Sequence, residues 1–267
     1  MLIEDGELSY DVRMGDAIEH MKSMPDASID VCVTSPPYWK GFEYEAYFNS
    51  YKQYLDWTRD WMTEVKRILK PYGTFYLNVS NDTNTTIRAY EIMDIAKELM
   101  FKIHDTIIWY RYNQQPANTD RQLTNQTEFV FMFRKTSSNV HLNKELVLKE
   151  LPELFKTQNV GNVWELSFNS SKSGISFGRK ATKSKWGHSG YPIQLPLACI
   201  YLSSNEGDLV LDPFMGTGTT GEACVRAKRN FIGVDLMEEY CQCSTDRIMN
   251  AIKDKNVKKS VGDIYGY

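Results

Sequence analysis

The sequence predicts an α/β fold: a doubly wound, mostly parallel sheet of seven strands with an antiparallel hairpin at one edge. Three observations carry this expectation. Short runs rich in β-branched and aromatic residues alternate with longer stretches of three- and four-residue apolar spacing. Residues 209–221, Leu209-Val210-Leu211-Asp212-Pro213-Phe214-Met215-Gly216-Thr217-Gly218-Thr219-Thr220-Gly221, read as strand, glycine turn and helix. Two apolar runs, 106–112 and 128–133, have only polar residues between them, which suits a hairpin.

The strands are expected at 10–14, 29–34, 74–79, 106–112, 128–133, 209–211 and 231–234. Tyr51, Tyr54, Leu55, Met62, Val65 and Leu69 recur at helical spacing, and Pro71 with Gly73 is expected to stop that helix. Residues 86–101 read as a second helix with Ile92, Ile95, Ala96 and Leu99 inward. A helix over 192–202 tolerates a proline in its first turn, and 218–228 and 238–254 complete the set. Only 32 residues follow Asp235, and none reads as a strand. The remaining strands must therefore come from the N-terminal half, in an order circularly permuted relative to a dinucleotide-binding sheet.

With 267 residues the chain can fill one large α/β domain, or a domain plus a small insert. Hydrophobic content of 42% and charged content of 24% are ordinary for a soluble globular protein. Glu4, Asp5 and Glu7 do not suit a secretory signal, and no apolar run is long enough to span a membrane. Five cysteines form no metal-ligand framework, since Cys241-x-Cys243 is too tight for a zinc knuckle. They read as reduced, mostly buried thiols of a cytoplasmic protein. The four histidines, His20, His104, His141 and His188, are scattered and read as structural. Net charge is −3, yet 166–205 holds no acid and carries Lys172, Arg179, Lys180, Lys183 and Lys185. That stretch is +5 and the rest of the chain −8, so a basic face on an acidic body fits docking on phosphate. A solvated Lys/Ser/Gly loop has the same composition.

Two segments carry chemistry. Thr34-Ser35-Pro36-Pro37-Tyr38-Trp39 follows the strand at 29–33. Two prolines stop the strand and hold the backbone extended, which fixes the directions of a hydroxyl and of carbonyls beside an aromatic ring. This suits gripping the amino group of a planar base while a ring stacks on its face. The run can equally be a strand terminator followed by two core aromatics. The second segment is the glycine turn. Gly216 and Gly218 permit positive φ and close approach of a ligand to bare backbone. The following helix offers N–H groups and its positive dipole end. Asp235, 19 residues after Gly216, ends the next strand where an acid reaches ribose hydroxyls. Gly216-x-Gly218-x-x-Gly221 also matches a dinucleotide fingerprint, so a nicotinamide-dependent oxidoreductase stands as an alternative, as does a DNA-binding protein without catalysis.

A Pro-Pro-Tyr strand end upstream of an Asp-Pro-Phe-x-Gly-x-Gly loop resembles the DNA amino-methyltransferases of the β class, in which the catalytic motif comes first. The resemblance covers roughly 12–248. Gly15-Asp16 looks like the family's adenine-contacting element, Lys70-Pro71-Tyr72-Gly73 like its turn into the fifth strand, and 121–133 like the hairpin that closes its sheet. Gly190-Tyr191-Pro192-Ile193-Gln194-Leu195-Pro196 looks like its methionine-side cofactor segment, with Leu195 where a lysine is usual. The resemblance implies a seven-stranded methyltransferase fold using S-adenosylmethionine, with Asp16, Asp212, Phe214, Gly216, Gly218, Thr219, Asp235 and Pro192 around the cofactor. It implies a catalytic corner of Ser35, Pro36, Pro37 and Tyr38. Ser35 Oγ and the Pro36 carbonyl would accept the target amine's hydrogens, and Tyr38 would stack on a flipped base. Serine at the first position usually accompanies cytosine N4 methylation, whereas Asp or Asn accompanies adenine N6. An adenine-N6 enzyme is thus the nearest alternative, and a protein-glutamine methyltransferase, usually carrying Asn, a more distant one. The expected organisation is a catalytic half at 1–135, a target-recognition region at 136–189 and a cofactor half at 190–267. Lys172, Arg179, Lys180, Lys183, Lys185 and Arg121 would hold double-stranded DNA. A monomer or homodimer, a cognate restriction endonuclease as partner, no metal and no membrane complete the expectation. Residues 40–51, with Gly41 and several aromatics, would form a lid or a packed loop.

Overall fold

A computed structural model describes residues 1–39, 48–81, 87–111, 123–136, 142–155, 158–166 and 190–254. Along the chain run β1 (Leu2–Asp5), β2 (Leu8–Met14), α1 (Ala17–Lys22), β3 (Ile29–Thr34), α2 (Tyr51–Ile68), β4 (Leu69–Val79), α3 (Arg88–Glu98), β5 (Lys102–Tyr110) and β6 (Thr127–Arg134). Then follow α4 (Lys144–Glu150), β7 (Val163–Glu165), α5 (Gln194–Ser203), β8 (Leu209–Asp212), α6 (Thr219–Ala227), β9 (Asn230–Asp235) and α7 (Glu238–Lys253).

Among the described residues the strands form one sheet in the order β1-β2-β9-β8-β3-β4-β6-β5-β7. Five neighbouring pairs, from β2 to β4 and again β5 with β7, are parallel. β1–β2, β4–β6 and β5–β6 are antiparallel. The expected α/β architecture, permuted order and antiparallel hairpin are all present. Two strands were not foreseen, so the sheet has nine rather than seven. β1 is a charged, exposed edge strand folded onto β2, and β7 is a three-residue strand beyond β5, within the region expected for target recognition. The β5–β6 hairpin is therefore bordered by β7.

Alternation along the strands sorts side chains to two faces. On one, Val31, Val33, Tyr76 and Phe231 pack beneath α5, α6 and α7 through Leu197, Ala223 and Ile248. On the other, Cys32, Phe75, Leu77 and Leu211 meet Met21 of α1, Trp61 and Val65 of α2, and Ile92 of α3. Pro71 and Gly73 do not end α2 in a loop, because the helix stops at Ile68 and β4 starts at once. Ile29 pairs with Leu69 but Val31 with Thr74, so three extra residues bulge out around Pro71, where its missing N–H costs no ladder bond.

The direction of winding fixes where a ligand can sit. From β3 the chain crosses to β4 on one side, and from β8 it crosses to β9 on the other. The order reverses between β8 and β3, and a crevice opens at the carboxyl ends of strands at such a switch point.

Candidate active site

The two chemical segments leave the sheet side by side at this reversal. β3 and β8 are parallel neighbours, with Val31 opposite Val210 and Cys32 opposite Leu211. Just beyond these pairs, Thr34 and Asp212 are joined by a buried hydrogen bond in which Thr34 Oγ1 donates to Asp212 Oδ1 at 2.6 Å. The Ser-Pro-Pro-Tyr corner and the glycine turn thus share one crevice despite lying 178 residues apart.

Asp212 is the hub of that crevice. Its Oδ1 also accepts from Phe214 N at 3.1 Å, and its Oδ2 accepts from Thr220 Oγ1 at 2.6 Å and Tyr191 Oη at 3.1 Å. Tyr191 Oη and Thr220 Oγ1 lie 2.5 Å apart, both against that same carboxylate oxygen. The carboxylate is 1% exposed, and burial pushes its pKa up against the four hydrogen bonds that hold it down. Asp212 therefore shapes the walls by tying four segments together. Thr34, Tyr191 and Thr220, its partners, were not singled out by sequence. Each flanks a named site residue, Ser35, Pro192 and Thr219 respectively, which was the available clue.

The glycine turn divides its labour. Gly216 has φ +51° and open space where a Cβ would stand, so its backbone can meet a ligand directly. Gly218 has φ +81°, but its bare face is turned to α7, where a Cβ would come 2.3 Å from Ser244 Oγ. Gly221 similarly lets α6 close on Phe231 and Ile248. No side chain caps the start of α6, so the N–H groups of its first turn have no partner from a capping side chain. Thr219 Oγ1 receives Arg247 Nη1 at 2.5 Å, and a Cβ at Gly190 would lie 3.9 Å from the same oxygen. The Gly190-Tyr191-Pro192 segment is thereby brought against the turn, with Pro192 half-buried.

Further along the strand ends, Asp235 accepts from Gly216 N at 3.0 Å through Oδ2 and from Met237 N at 2.9 Å through Oδ1. Burial raises its pKa to about 6, with the Asp212 charge adding to the shift. The Gly15 N–H donates to the Asp235 backbone carbonyl at 2.9 Å, which sets Gly15 and Asp16 beside it. Asp16 is exposed and N-caps α1 by accepting from Glu19 N at 3.0 Å.

At the serine-proline corner, Pro36 is buried, and Ser35, Pro37, Tyr38 and Trp39 are half-buried. Ser35 Oγ and Tyr38 Oη are 2.5 Å apart, and Tyr38 Oη donates toward Asn78 O at 3.0 Å and Asn78 Oδ1 at 3.2 Å. Asn78, near the carboxyl end of β4, went unnoticed in the sequence. Burial holds the Tyr38 hydroxyl far above the usual phenol range. Trp39 has φ +54° and packs edge-on to Phe48 at 5.9 Å. From Phe48 the rings continue through Trp57 at 5.1 Å to Phe214 at 5.3 Å. Phe214 also meets Trp61 at 5.2 Å, so this residue of the expected cofactor set braces the turn against α2.

Arg121, Lys172, Arg179, Lys180, Lys183 and Lys185 lie outside the described residues, as does 40–47 of the expected lid. Among the described residues no metal-ligating cluster occurs and no helix is long and apolar enough to cross a membrane. Cys32, Cys199, Cys224 and Cys241 are buried free thiols and Cys243 is partly exposed.

The Type II methyltransferase M.HpaI of Haemophilus parainfluenzae is 29% identical, covering 93% of this chain and 78% of its own. The DNA adenine methyltransferase YhdJ of Escherichia coli (strain K12) is 27% identical, covering 88% and 81%. A DNA modification methylase of Thermus thermophilus, solved in complex with S-adenosyl-L-methionine, superposes with a TM-score of 0.66 at 25% identity, covering 92% of this chain and 95% of that one. The cytosine-N4-specific PvuII DNA methyltransferase shares the fold with a TM-score of 0.73 at 23% identity, covering 96% and 93%. The profile of one family, DNA methylase, matches residues 29–246, spanning both the serine-proline corner and the glycine turn, and the chain belongs to that family.

Proposed function

We propose that this protein transfers a methyl group from S-adenosylmethionine to the exocyclic N4 amine of cytosine in a base flipped out of double-stranded DNA, as the modification half of a restriction-modification pair. The observation that carries the reading is the meeting of the Ser35 corner and the Gly216 turn across the Thr34–Asp212 bond. When bound, S-adenosylmethionine supplies a sulfonium methyl group open to in-line displacement.

The chain's residues fit that group. Gly216 leaves backbone space, the start of α6 suits an amino-acid carboxylate, and Asp235 with Gly15-Asp16 lies at the strand ends where a nucleoside belongs. Pro192 and Tyr191 close the turn's other side. Cytosine N4 is a poor nucleophile, since its lone pair is delocalised into the ring. Ser35 Oγ and the Pro36 carbonyl, accepting its two hydrogens, draw that pair onto nitrogen. Held there, the nitrogen would lie open to the sulfonium methyl group that the cofactor would supply, and the methylated, cationic amine would lose its extra proton to water rather than to Ser35. The protein's share is alignment and electrostatics. Flipping costs a few kcal/mol, of which stacking on Tyr38 returns roughly 1–3 kcal/mol. Residues 136–189 serve target recognition in this reading. Lys172, Arg179, Lys180, Lys183, Lys185 and Arg121 hold phosphates.

Adenine N6 is the second reading, favoured by likeness to an adenine methyltransferase. Nucleoside chromatography of DNA methylated by the purified protein decides: N4-methylcytosine is expected, and N6-methyladenine as sole product refutes the first reading. S-adenosylhomocysteine is expected to raise the melting temperature and NAD to leave it unchanged. The opposite pattern would return the glycine turn to an oxidoreductase.

A further inference from the structure

Among the described residues, the partners of three hydroxyl and amide groups behind the serine-proline corner favour one arrangement of hydrogens. Asn78 is 3% exposed, and its Nδ2 donates to the Phe129 carbonyl at 3.2 Å. Reversing the amide would set two oxygens against each other there, so Oδ1 faces Tyr38. The Tyr38 hydroxyl therefore meets two oxygens of Asn78 that carry no hydrogen, at 3.0 and 3.2 Å. Its single proton is used toward them, because turning it to Ser35 would leave its lone pairs against both. Ser35 Oγ, 2.5 Å away, must then supply the hydrogen of the Ser35–Tyr38 bond. A serine hydroxyl has one hydrogen and two lone pairs, and with the hydrogen turned inward both lone pairs are left for an incoming amine.

We infer that Asn78 and the Tyr38 hydroxyl are positioning groups that lock Ser35 as a hydrogen-bond acceptor, through a one-way chain from Ser35 Oγ–H to Tyr38 Oη–H to the Asn78 oxygens. The chain ends on amide oxygens, which do not take up a proton at neutral pH, so Ser35 orients the amine without removing its proton. The buried Tyr38 phenol stays protonated throughout the neutral range, which keeps the direction fixed. Glu128, the acid whose charge acts on the Tyr38 hydroxyl, reinforces this state. Tyr38 thus has two separable functions: its ring for stacking, its hydroxyl for polarity. The inference rests on the amine-acceptor role given to Ser35 above and applies equally to cytosine N4 and adenine N6.

A double-mutant cycle tests it. Tyr38→Phe keeps the ring and frees the Ser35 hydrogen. In the wild-type background it is expected to lower kcat about tenfold while KM and melting temperature stay nearly constant. In a Ser35→Asp background, whose carboxylate needs no orienting, the same change should cost less than about twofold. Equal losses in both backgrounds, or none in the first, overturn the inference. A wild-type protein that transfers no label from S-adenosylmethionine to any DNA defeats the functional reading instead. Neutron diffraction on the perdeuterated protein decides the relay even then: deuterium on Ser35 Oγ pointing at Tyr38 supports it, and deuterium on Tyr38 Oη pointing at Ser35 overturns it.

Discussion

Acidification should weaken cofactor binding through one carboxylate. Asp235 accepts the Gly216 and Met237 N–H groups, one on each oxygen, and the Leu236 N–H as well, which leaves lone-pair capacity for a further donor. Burial raises its pKa to about 6, so about nine-tenths of molecules are ionised near pH 7 and about one-tenth near pH 5. If the ionised form receives the ribose hydroxyls, the Kd for S-adenosylhomocysteine should rise about tenfold over that interval. Isothermal titration calorimetry at constant ionic strength measures it, and Asp235→Asn should flatten the slope. The unliganded protein should show the converse. A carboxyl whose folded pKa is raised stabilises the fold fully below its unfolded value of ~3.9, and that contribution is lost as pH rises through the folded value. The gap between about 6 and ~3.9 corresponds to about 3 kcal/mol, lost between about pH 4 and pH 6. A wild-type affinity that is flat from about pH 5 to pH 7, or an Asn variant that keeps the tenfold change, refutes the placement of Asp235 at the ligand.

Thr34→Val removes the 2.6 Å bond to the buried Asp212 carboxylate. It should cost about 1.5–3 kcal/mol in urea unfolding, and a loss under about 0.5 kcal/mol would show that the tie is dispensable. Gly218→Ala sets a methyl group against Ser244 at positive φ and should destabilise strongly, by about 3 kcal/mol or more. Gly216→Ala, with open space around it, should cost only about 1–2 kcal/mol by thermal melting, yet weaken S-adenosylhomocysteine binding more than Gly218→Ala does in the surviving fold. Replacing Lys180, Lys183 and Lys185 by Gln should lower the slope of log K against log salt for duplex DNA by about 0.9 for each phosphate no longer neutralised. An unchanged slope would remove this stretch from the DNA interface.

Legibility in the sequence followed burial and locality. Strands 29–34 and 231–234 announced themselves because both faces are covered, which demands continuous apolar runs. β1 and β7 did not, because one is a charged edge and the other pairs only three residues with a strand far away in sequence. α1 escaped because six residues are too few for a period to show. Within the site, the serine-proline corner and the glycine turn were readable as local backbone devices. Their meeting follows from the family resemblance, but the ties that make it do not: Asp212 reaches Thr34 through the pairing of β3 with β8, and Thr220 and Tyr191 from the segments on either side of its own strand. Asn78 looked like one more residue of an inner strand until Phe129 and Tyr38 flanked it.

The placement of β8 beside β3 has a consequence during synthesis. β3 leaves the ribosome early and finds β4 soon afterwards, but its other flank waits for a partner numbered from 209 onward. Through that interval the centre of the future sheet presents an unpaired, largely apolar margin, the kind of surface on which nascent chains stick to one another. A stalled or clipped product ending before Leu209 is expected to aggregate rather than persist as a soluble half-molecule, so a bisected version of this protein should need both pieces made together.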